Sequence, residues 1–263
     1  MNYYPITVLV VGATGSIGQH VVNEVIREGH VARALLRDSG KIPNLPAAAL
    51  PVIGDLTQAD TLVEAVDGVD AVIFTHGSDG KGKIGAETVD YGGVRNVLAA
   101  LAGRKARIAL MTAIGVTDRD GDYNRKTEAH DWKRRSERLV RASGLPYTIV
   151  RPGWFDYNNS EQHRLVLLQG DTRHAGNSSD GVVARRQIAQ ILVRSLTSVA
   201  AEYKTFELVA EHGPAPEDFD ALFASLQADL PGALDAIRDV PNMPLADKPL
   251  RVIREMQRFT AAT

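Results

Sequence analysis

Short apolar runs alternate with longer amphipathic stretches over the first 150 residues of the chain. The apolar runs predict buried strands at residues 6–11, 31–36, 50–53, 71–74, 106–111 and 147–150. The amphipathic stretches between them predict helices at residues 16–27, 58–66, 86–101 and 127–142. Strands that alternate with helices in this way form parallel sheets covered by helices on both faces, so the sequence predicts a doubly wound α/β fold.

The pattern changes after Gly153, where a polar stretch rich in glycine and asparagine runs to Gly181. We expect a loop-rich excursion there, followed by a helix at 184–196, a strand at 205–209, a helix at 214–226 and a short helix within 252–259. The prolines from Pro231 onward predict a tail that wraps the surface. We therefore divide the chain into a core at residues 1–153 and a loop-rich region at 154–263, with one returning strand, packed on the same domain.

The composition excludes several kinds of function. Lys plus Arg (30) nearly balance Asp plus Glu (32), which gives a net charge of −2 and no basic excess for binding nucleic acid. The absence of cysteine excludes disulfides, thiolate nucleophiles and cysteine-based metal sites, and the seven histidines lack metal-ligand spacing. No apolar run approaches the roughly 18 residues of a membrane span, and no basic residue precedes the first apolar run. We therefore expect a cytoplasmic protein without a metal, nucleic-acid or membrane partner.

A glycine-rich turn follows the first predicted strand and begins the first predicted helix. Its residues are Gly12, Ala13, Thr14, Gly15, Ser16, Ile17 and Gly18, spaced G-x-x-G-x-x-G rather than the G-x-G-x-x-G of many dehydrogenases. Glycine lets the backbone turn tightly and approach a pyrophosphate, and the start of a helix presents free N–H groups to an anion. The turn therefore predicts a dinucleotide site, with a purely structural turn as the alternative.

The end of the second predicted strand carries cations where many NAD-binding proteins carry a carboxylate. Arg37 lies 19 residues after Gly18, and Lys41 follows closely. A guanidinium forks onto the oxygens of a 2′-phosphate, so these residues favour NADP over NAD. The alternative places Asp38 on the ribose of NAD. Arg33 either helps from the same strand face or lies on the surface.

Polar residues also follow the third and fourth predicted strands. Asp55 and Leu56 are expected beside the adenine ring, although Asp55 alternatively caps the next helix. Thr75, His76 and Gly77 are expected at the cofactor crevice, since ligands of such sheets bind outside the carboxyl ends of the strands. His76 either contacts cofactor or substrate or is a solvated loop histidine.

These motifs, in this order, resemble those of a known family. The chain is similar to the atypical short-chain dehydrogenase/reductase superfamily, in particular its NmrA-like NAD(P)-binding branch, at Gly12–Gly18, Ala34–Asp38, Gly54–Leu56, Ser143–Gly153 and at Asp90, Tyr91, Gly92 and Asn96. The resemblance covers about residues 6–210. It implies a Rossmann-type core that binds NADP or NAD, with a small carboxyl-terminal substrate region. Because members include reductases, isomerases and non-enzymatic cofactor sensors, the reaction stays open.

The catalytic residues that the resemblance implies are matched only in part. Active members carry Ser or Thr after strand five and Tyr-x-x-x-Lys on the next helix, where the ammonium lowers the pKa of the phenol. Thr112 and Lys133 match this pattern, but Ala129 stands where the tyrosine is expected. His130, or Tyr123 from a predicted loop, is the candidate replacement. Each has an ordinary structural alternative; for Lys133 it is a solvated lysine paired with Glu137, and Lys133 is also a candidate for the nicotinamide ribose.

The turn after the sixth predicted strand completes the candidate site. Pro152 and Gly153 are expected against the nicotinamide end of the cofactor, and Trp154, Phe155 and Tyr157 either wall a substrate pocket or cover the core. The sequence thus predicts an NADP-dependent oxidoreductase acting on a small carbonyl or quinone-like substrate. The alternative is a non-catalytic NAD(P)-binding regulator that senses the redox state of the cofactor.

Overall fold

The central sheet of the computed structural model, which describes residues 4–78 and 80–261, follows the predicted topology. The strands within those residues are β1 (Thr7–Val11), β2 (Val31–Leu36), β3 (Leu50–Ile53), β4 (Ala71–Phe74), β5 (Arg107–Met111), β6 (Tyr147–Pro152), β7 (Trp154–Phe155), β8 (Arg164–Leu168), β9 (Val182–Val183) and β10 (Lys204–Glu211). Eight of them form one sheet in the order β3-β2-β1-β4-β5-β6-β10-β8. Only β8 runs antiparallel to its neighbour, so the predicted Rossmann-type α/β fold is confirmed.

Helices cover both faces of the sheet. Within the described residues they are α1 (Gly18–Arg27), α2 (Gly82–Gly85), α3 (Gly92–Leu101), α4 (Asp122–Thr127), α5 (Ala129–Ala142), α6 (Arg185–Thr197), α7 (Phe219–Ala224) and α8 (Leu250–Ala261). A π-helical turn, Ala86–Tyr91, leads directly into α3. Among these segments there is no helix with the length and apolar character needed to cross a membrane.

Two hydrophobic clusters, one on each face of the sheet, form the core. Along β1 the side chains alternate, so that Val8 and Val10 join the cluster under α1 and α6, while Leu9 and Val11 join the cluster under α3, α5 and α8. A strand that is apolar on both faces is typical of a central parallel strand. This alternation explains why the apolar runs of the first half predicted the strands well.

Three predicted helices differ from the structure. Residues 58–66 form only a short 3-10 turn at Ala59–Leu62, because the Thr61 hydroxyl donates to the Gln58 carbonyl and competes with helical hydrogen bonds. The predicted helix 127–142 is present as α5 but begins two residues later, because Glu128, with a left-handed φ of 54°, separates it from the preceding helix α4. The predicted helix 214–226 is confined to α7, since Pro214 and Pro216 precede it.

The stretch expected to be loop-rich, 154–181, contains regular structure. It includes β7, which pairs with β9, and β8, which pairs with β10 at the edge of the central sheet. The apolar residues of β8, Leu165 to Leu168, were obscured by the surrounding glycine, asparagine and charged residues. The returning strand predicted at 205–209 is present as β10 and is longer than expected.

Candidate functional site

The glycine turn packs tightly against the end of β4. Gly12 has φ of 88°, and its carbonyl accepts the N–H of Gly15 at 2.9 Å. A Cβ at Gly12 would lie 2.8 Å from the backbone nitrogen of His76, and one at Gly18 would overlap the Gly12 carbonyl. The turn is therefore closed on its inner side, whereas Gly15 and Ser16 are exposed on its outer side. This geometry fits a ligand that approaches the bare backbone from outside.

The amino end of α1 offers unoccupied donors. Buried Ile17 precedes Gly18 at the start of the helix, no side chain caps its first turn, and that turn has no acidic residue. The adjacent Thr14 carbonyl accepts a hydrogen bond from Gln19 Nε2 at 3.1 Å, and this bond fixes the outer side of the glycine turn. Uncapped N–H groups together with the helix dipole favour a bound anion such as a pyrophosphate.

At the end of β2, the guanidinium of Arg37 is exposed, whereas the carboxylate of Asp38 accepts a hydrogen bond from the backbone. Arg37 makes no hydrogen bond or ion pair with the residues that the structure describes, and Lys41 is exposed close by. Asp38 accepts the N–H of Gly40 at 2.8 Å and caps the 3-10 helix Ser39–Asn44. Arg33 is turned away, because its guanidinium donates to the carbonyls of Ala65 and Asp67.

Asp55 and Leu56 lie in a local turn after β3. One carboxylate oxygen of Asp55 accepts both the N–H and the hydroxyl of Thr57 at 2.8 Å, and these bonds hold the pKa of Asp55 below its usual value. Its other oxygen has no hydrogen bond within the described part of the chain. The Leu56 carbonyl accepts Asn96 Nδ2 at 2.6 Å, so the resemblance motif at Asn96 anchors this turn to α3.

His76 is enclosed between the glycine turn and the π-helical turn. Its Nε2 lies 3.1 Å from the Val89 carbonyl, and since a carbonyl only accepts, Nε2 carries the proton. The shielded Nδ1 has no partner among residues 4–78 and 80–261. Burial lowers the pKa of His76 to about 4, so the ring is neutral at pH 7. Thr75 donates its hydroxyl to the Val11 carbonyl at 3.0 Å, and Gly77 is exposed.

Lys133 pairs with Asp90 and not with Glu137. The Lys133 Nζ lies 3.5 Å from Asp90 Oδ2, and Asp90 also accepts the N–H and hydroxyl of Ser78 at 2.8 and 3.0 Å. Asp90 belongs to the π-helical turn, a feature often found at functional sites. Sequence reasoning assigned Asp90 no role, although its occurrence in the resemblance motif was the available signal.

Thr112 contacts Glu137, the carboxylate with which Lys133 does not pair. Its buried hydroxyl donates to Glu137 Oε1 at 2.8 Å, and Arg151 donates to both oxygens of Glu137 at 3.0 and 2.7 Å. Arg151 in turn binds both oxygens of Asp239. These charged groups are fully buried, and no local sequence pattern indicated that residues so far apart would meet.

His130 and Tyr123 lie together beside the loop after β5. Their rings are 5.1 Å apart at 56°, and His130 Cε1 would lie 3.5 Å from a Cβ at Gly115. Burial, with a smaller effect of the Lys133 ammonium, lowers the pKa of His130. The expectation of a loop at Tyr123 is wrong, because this exposed residue belongs to the short helix α4.

Beyond β6, two aromatic side chains face solvent. Trp154 is 38% exposed and Tyr157 66% exposed, and their rings meet edge-on at 6.2 Å. Phe155, by contrast, packs on the core beneath Arg185. Pro152 and Gly153 are buried, and the Pro152 carbonyl accepts the Ile114 N–H at 3.1 Å. No cluster of three or more His, Asp or Glu suited to a metal ion occurs within the described ranges.

Proteins with similar sequences include one named as an epimerase and one named as a reductase. Residues 12–198 match the family described as NAD(P)H-binding. The chain is 30% identical over 217 residues to the uncharacterized sugar epimerase YhfK of Bacillus subtilis, covering 80% of this chain and 97% of that protein. It is 27% identical over 265 residues to sanguinarine reductase of Eschscholzia californica, covering 84% and 96%.

Solved structures share the fold. A protein of Bacillus halodurans, provisionally assigned as an NAD-dependent epimerase/dehydratase, has a TM-score of 0.70 at 24% identity and covers 84% of this chain and 100% of its own. A short-chain dehydrogenase/reductase of Veillonella parvula, solved in complex with NADP, has a TM-score of 0.60 at 15% identity, covering 82% and 100%. Since the family match spans most of the sequence and YhfK is 30% identical along nearly its whole length, the chain belongs to the NAD(P)H-binding family.

Proposed function

We propose that the protein is an NADP-dependent oxidoreductase that transfers hydride between the nicotinamide and a small carbonyl or quinone-like substrate. The observation that carries the choice of NADP is the end of β2, where Arg37 is exposed and makes no hydrogen bond or ion pair with the described residues, while Asp38 is engaged by Gly40. A free guanidinium suits a 2′-phosphate.

The cofactor would lie along the carboxyl edge of the sheet. We assign its pyrophosphate to the glycine turn and the amino end of α1, and its 2′-phosphate to Arg37 and Lys41. The adenine would lie by Asp55 and Leu56. The nicotinamide end would approach the remaining predicted contacts, which are Thr75, His76, Gly77, Lys133, Pro152 and Gly153. The bare outer face of Gly15 and Ser16 is the structural feature that a bound pyrophosphate requires.

A side chain must also donate a proton to the substrate oxygen or accept one from it, while the bound nicotinamide supplies or accepts the hydride. Burial keeps the His130 ring neutral at pH 7, so it suits the role of a base toward an alcohol. The protonated ring would return the same proton in the carbonyl direction. Tyr123, whose ring contacts that of His130, is the alternative group, and its phenol would then serve both directions. Lys133, held by Asp90, places a positive charge beside His130.

Trp154 and Tyr157 are the proposed contacts for an apolar or aromatic substrate. They are exposed and meet edge-on, so a planar substrate ring has an aromatic surface on which to pack. Phe155 would contribute less, because it packs on the core.

A screen of cofactor consumption tests the proposal. NADPH and NADH binding is first measured by fluorescence titration, and NADPH oxidation is then followed with ketones, aldehydes and quinones. We expect NADPH to bind more tightly than NADH and to be oxidised in the presence of at least one of these classes of acceptor. The rate of oxidation should be lower in Lys133→Met, and also in either Tyr123→Phe or His130→Ala. Failure of NADPH to bind would overturn the proposal entirely.

The second candidate function is a non-catalytic NAD(P) sensor. It is favoured by Ala129 in place of the expected tyrosine and by the engagement of the Thr112 hydroxyl with Glu137. A sensor would bind the cofactor but would not consume it. Tight NADPH binding without oxidation in the presence of every acceptor would therefore select the sensor.

A further inference from the structure

A cavity of about 350 Å³ lies between the outer strands of the sheet and the segment that follows α7. Leu167, Leu168 and Leu226 form its apolar wall, and Arg173, Arg238 and Glu207 form much of its polar wall. Its size falls within the range of pockets that bind small molecules. The cavity is separate from the glycine turn, so it is available to a second ligand.

The two arginines of the cavity have no carboxylate partner among residues 4–78 and 80–261. Arg173 Nη1 donates to the Asp180 carbonyl at 3.2 Å, and Arg238 Nε donates to Gln227 Oε1 at 3.1 Å. Neither guanidinium forms an ion pair within the described residues. Each therefore keeps N–H groups and a full positive charge for a ligand, and guanidinium groups bind carboxylates strongly.

Glu207 does not cancel this positive charge at neutral pH. It accepts the Asp171 N–H at 3.1 Å and lies 3.4 Å from Arg151, which Glu137 and Asp239 already neutralise. Burial raises the pKa of Glu207 to about 8, so its carboxyl group is mostly protonated at pH 7. An anion entering the cavity consequently meets two cations and a neutral acid.

We propose that the cavity binds a small organic carboxylate with an apolar body, its carboxylate on Arg173 and Arg238 and its body against the leucine wall. Ile114 also lines the cavity, two residues beyond Thr112. Hydrogen bonds further connect Glu207 through Arg151 and Glu137 to Thr112. The ligand thus lies beside the loop that follows β5. The proposal concerns binding alone and holds whether or not the protein transfers hydride.

Benzoate is the probe for the test, with its neutral analogue benzamide for comparison. Calorimetry on the full chain should detect benzoate binding and at least tenfold weaker binding of benzamide. Arg173→Gln and Arg238→Gln should each weaken benzoate at least tenfold. Arg186→Gln, a change at an exposed arginine outside the cavity, should leave the affinity unchanged. Absence of benzoate binding, or equal binding of benzamide, would overturn the proposal.

The pH dependence provides an independent readout. Benzoate affinity should fall between pH 7 and pH 9 as Glu207 ionises opposite the ligand. The charged groups near Glu207 are Arg151 of β6, Asp171 of the adjoining loop and Asp239 of the carboxyl-terminal segment, together with the two arginines of the cavity wall, Arg173 and Arg238. The Glu207→Gln variant should bind benzoate at pH 7 as tightly as the unaltered protein does, and its benzoate affinity should not fall between pH 7 and pH 9. Parallel pH curves for the two proteins would contradict the assigned role of Glu207.

Discussion

Thr112 donates its hydroxyl hydrogen to Glu137 across 2.8 Å, and both side chains are buried. A hydroxyl has one hydrogen, so Thr112 cannot also donate to a substrate carbonyl while this bond is made. Glu137 is at the same time held by Arg151. The pair therefore belongs to a buried charged network, and a catalytic role for Thr112 would require the hydroxyl to rotate away from Glu137.

Thr112→Val should lower the free energy of unfolding by about 1–3 kcal/mol, because a buried carboxylate loses a donor while the shape of the side chain is kept. Urea denaturation measures the change. Thr112→Ser, which keeps the hydroxyl, should lose clearly less. Equal losses in the two variants would contradict this, because the methyl contact that Thr112→Ser removes and Thr112→Val keeps would then contribute as much as the hydrogen bond.

The sheet and the cofactor turn could be predicted because their signals are local. Residues 7–11 are apolar on both faces, and the following glycines occupy positions where a side chain would overlap the backbone, as at Gly18. Each feature depends on near neighbours in sequence. The fold class followed from a series of such local segments over residues 6–150, and the family resemblance followed from short local motifs.

The interior of the site could not be predicted, since it depends on partners distant in sequence. Arg151 joins Glu137, Glu207 and Asp239, which come from a helix, a strand and a carboxyl-terminal segment. An amphipathic helix, as predicted at 127–142, ordinarily turns its charged face to water, yet Arg134 and Arg138 of α5 are buried against Asp235. Sequence periodicity distinguishes apolar from polar faces, but it does not identify a polar face that is covered by other polar residues.

Gly15→Ala should weaken NADPH binding at least tenfold with little change in melting temperature. The added Cβ meets the Gly12 carbonyl oxygen at 3.2 Å, a tight contact that a backbone shift of a few tenths of an ångström would relieve, and the methyl group projects where the pyrophosphate is proposed to approach. Fluorescence titration and thermal denaturation provide the two measurements. In Gly29→Ala, at the far end of α1, φ is 79° and the surrounding space is open, so stability should fall while binding is kept.

Arg37→Ala should weaken NADPH binding by about ten- to a hundredfold, the effect of losing a hydrogen bond to a charged group. NADH binding should change much less, because NADH lacks the 2′-phosphate. Dissociation constants for both cofactors test this, with Asp38→Asn as the matched variant. If Asp38→Asn weakens NADH strongly and Arg37→Ala weakens both cofactors equally, then Asp38 on the ribose is the correct assignment.

His76 should make the protein less stable as the pH falls from 6.5 toward 4. Its pKa is about 4 in the folded protein and about 6.5 when unfolded, so the unfolded chain binds the proton first. The contribution is complete above pH 6.5, and about 2–3 kcal/mol is lost by pH 4. His76→Gln keeps a donor for Val89 but cannot titrate, so its stability should fall less over this interval than that of the unaltered protein or of His20→Gln, a change at an exposed histidine. This prediction is contradicted if urea denaturation shows the same loss of stability with pH in His76→Gln as in the unaltered protein, or if NMR shows the His76 ring titrating near pH 6.5. Either result would show that the ring is accessible to water and free to contact a ligand as a cation.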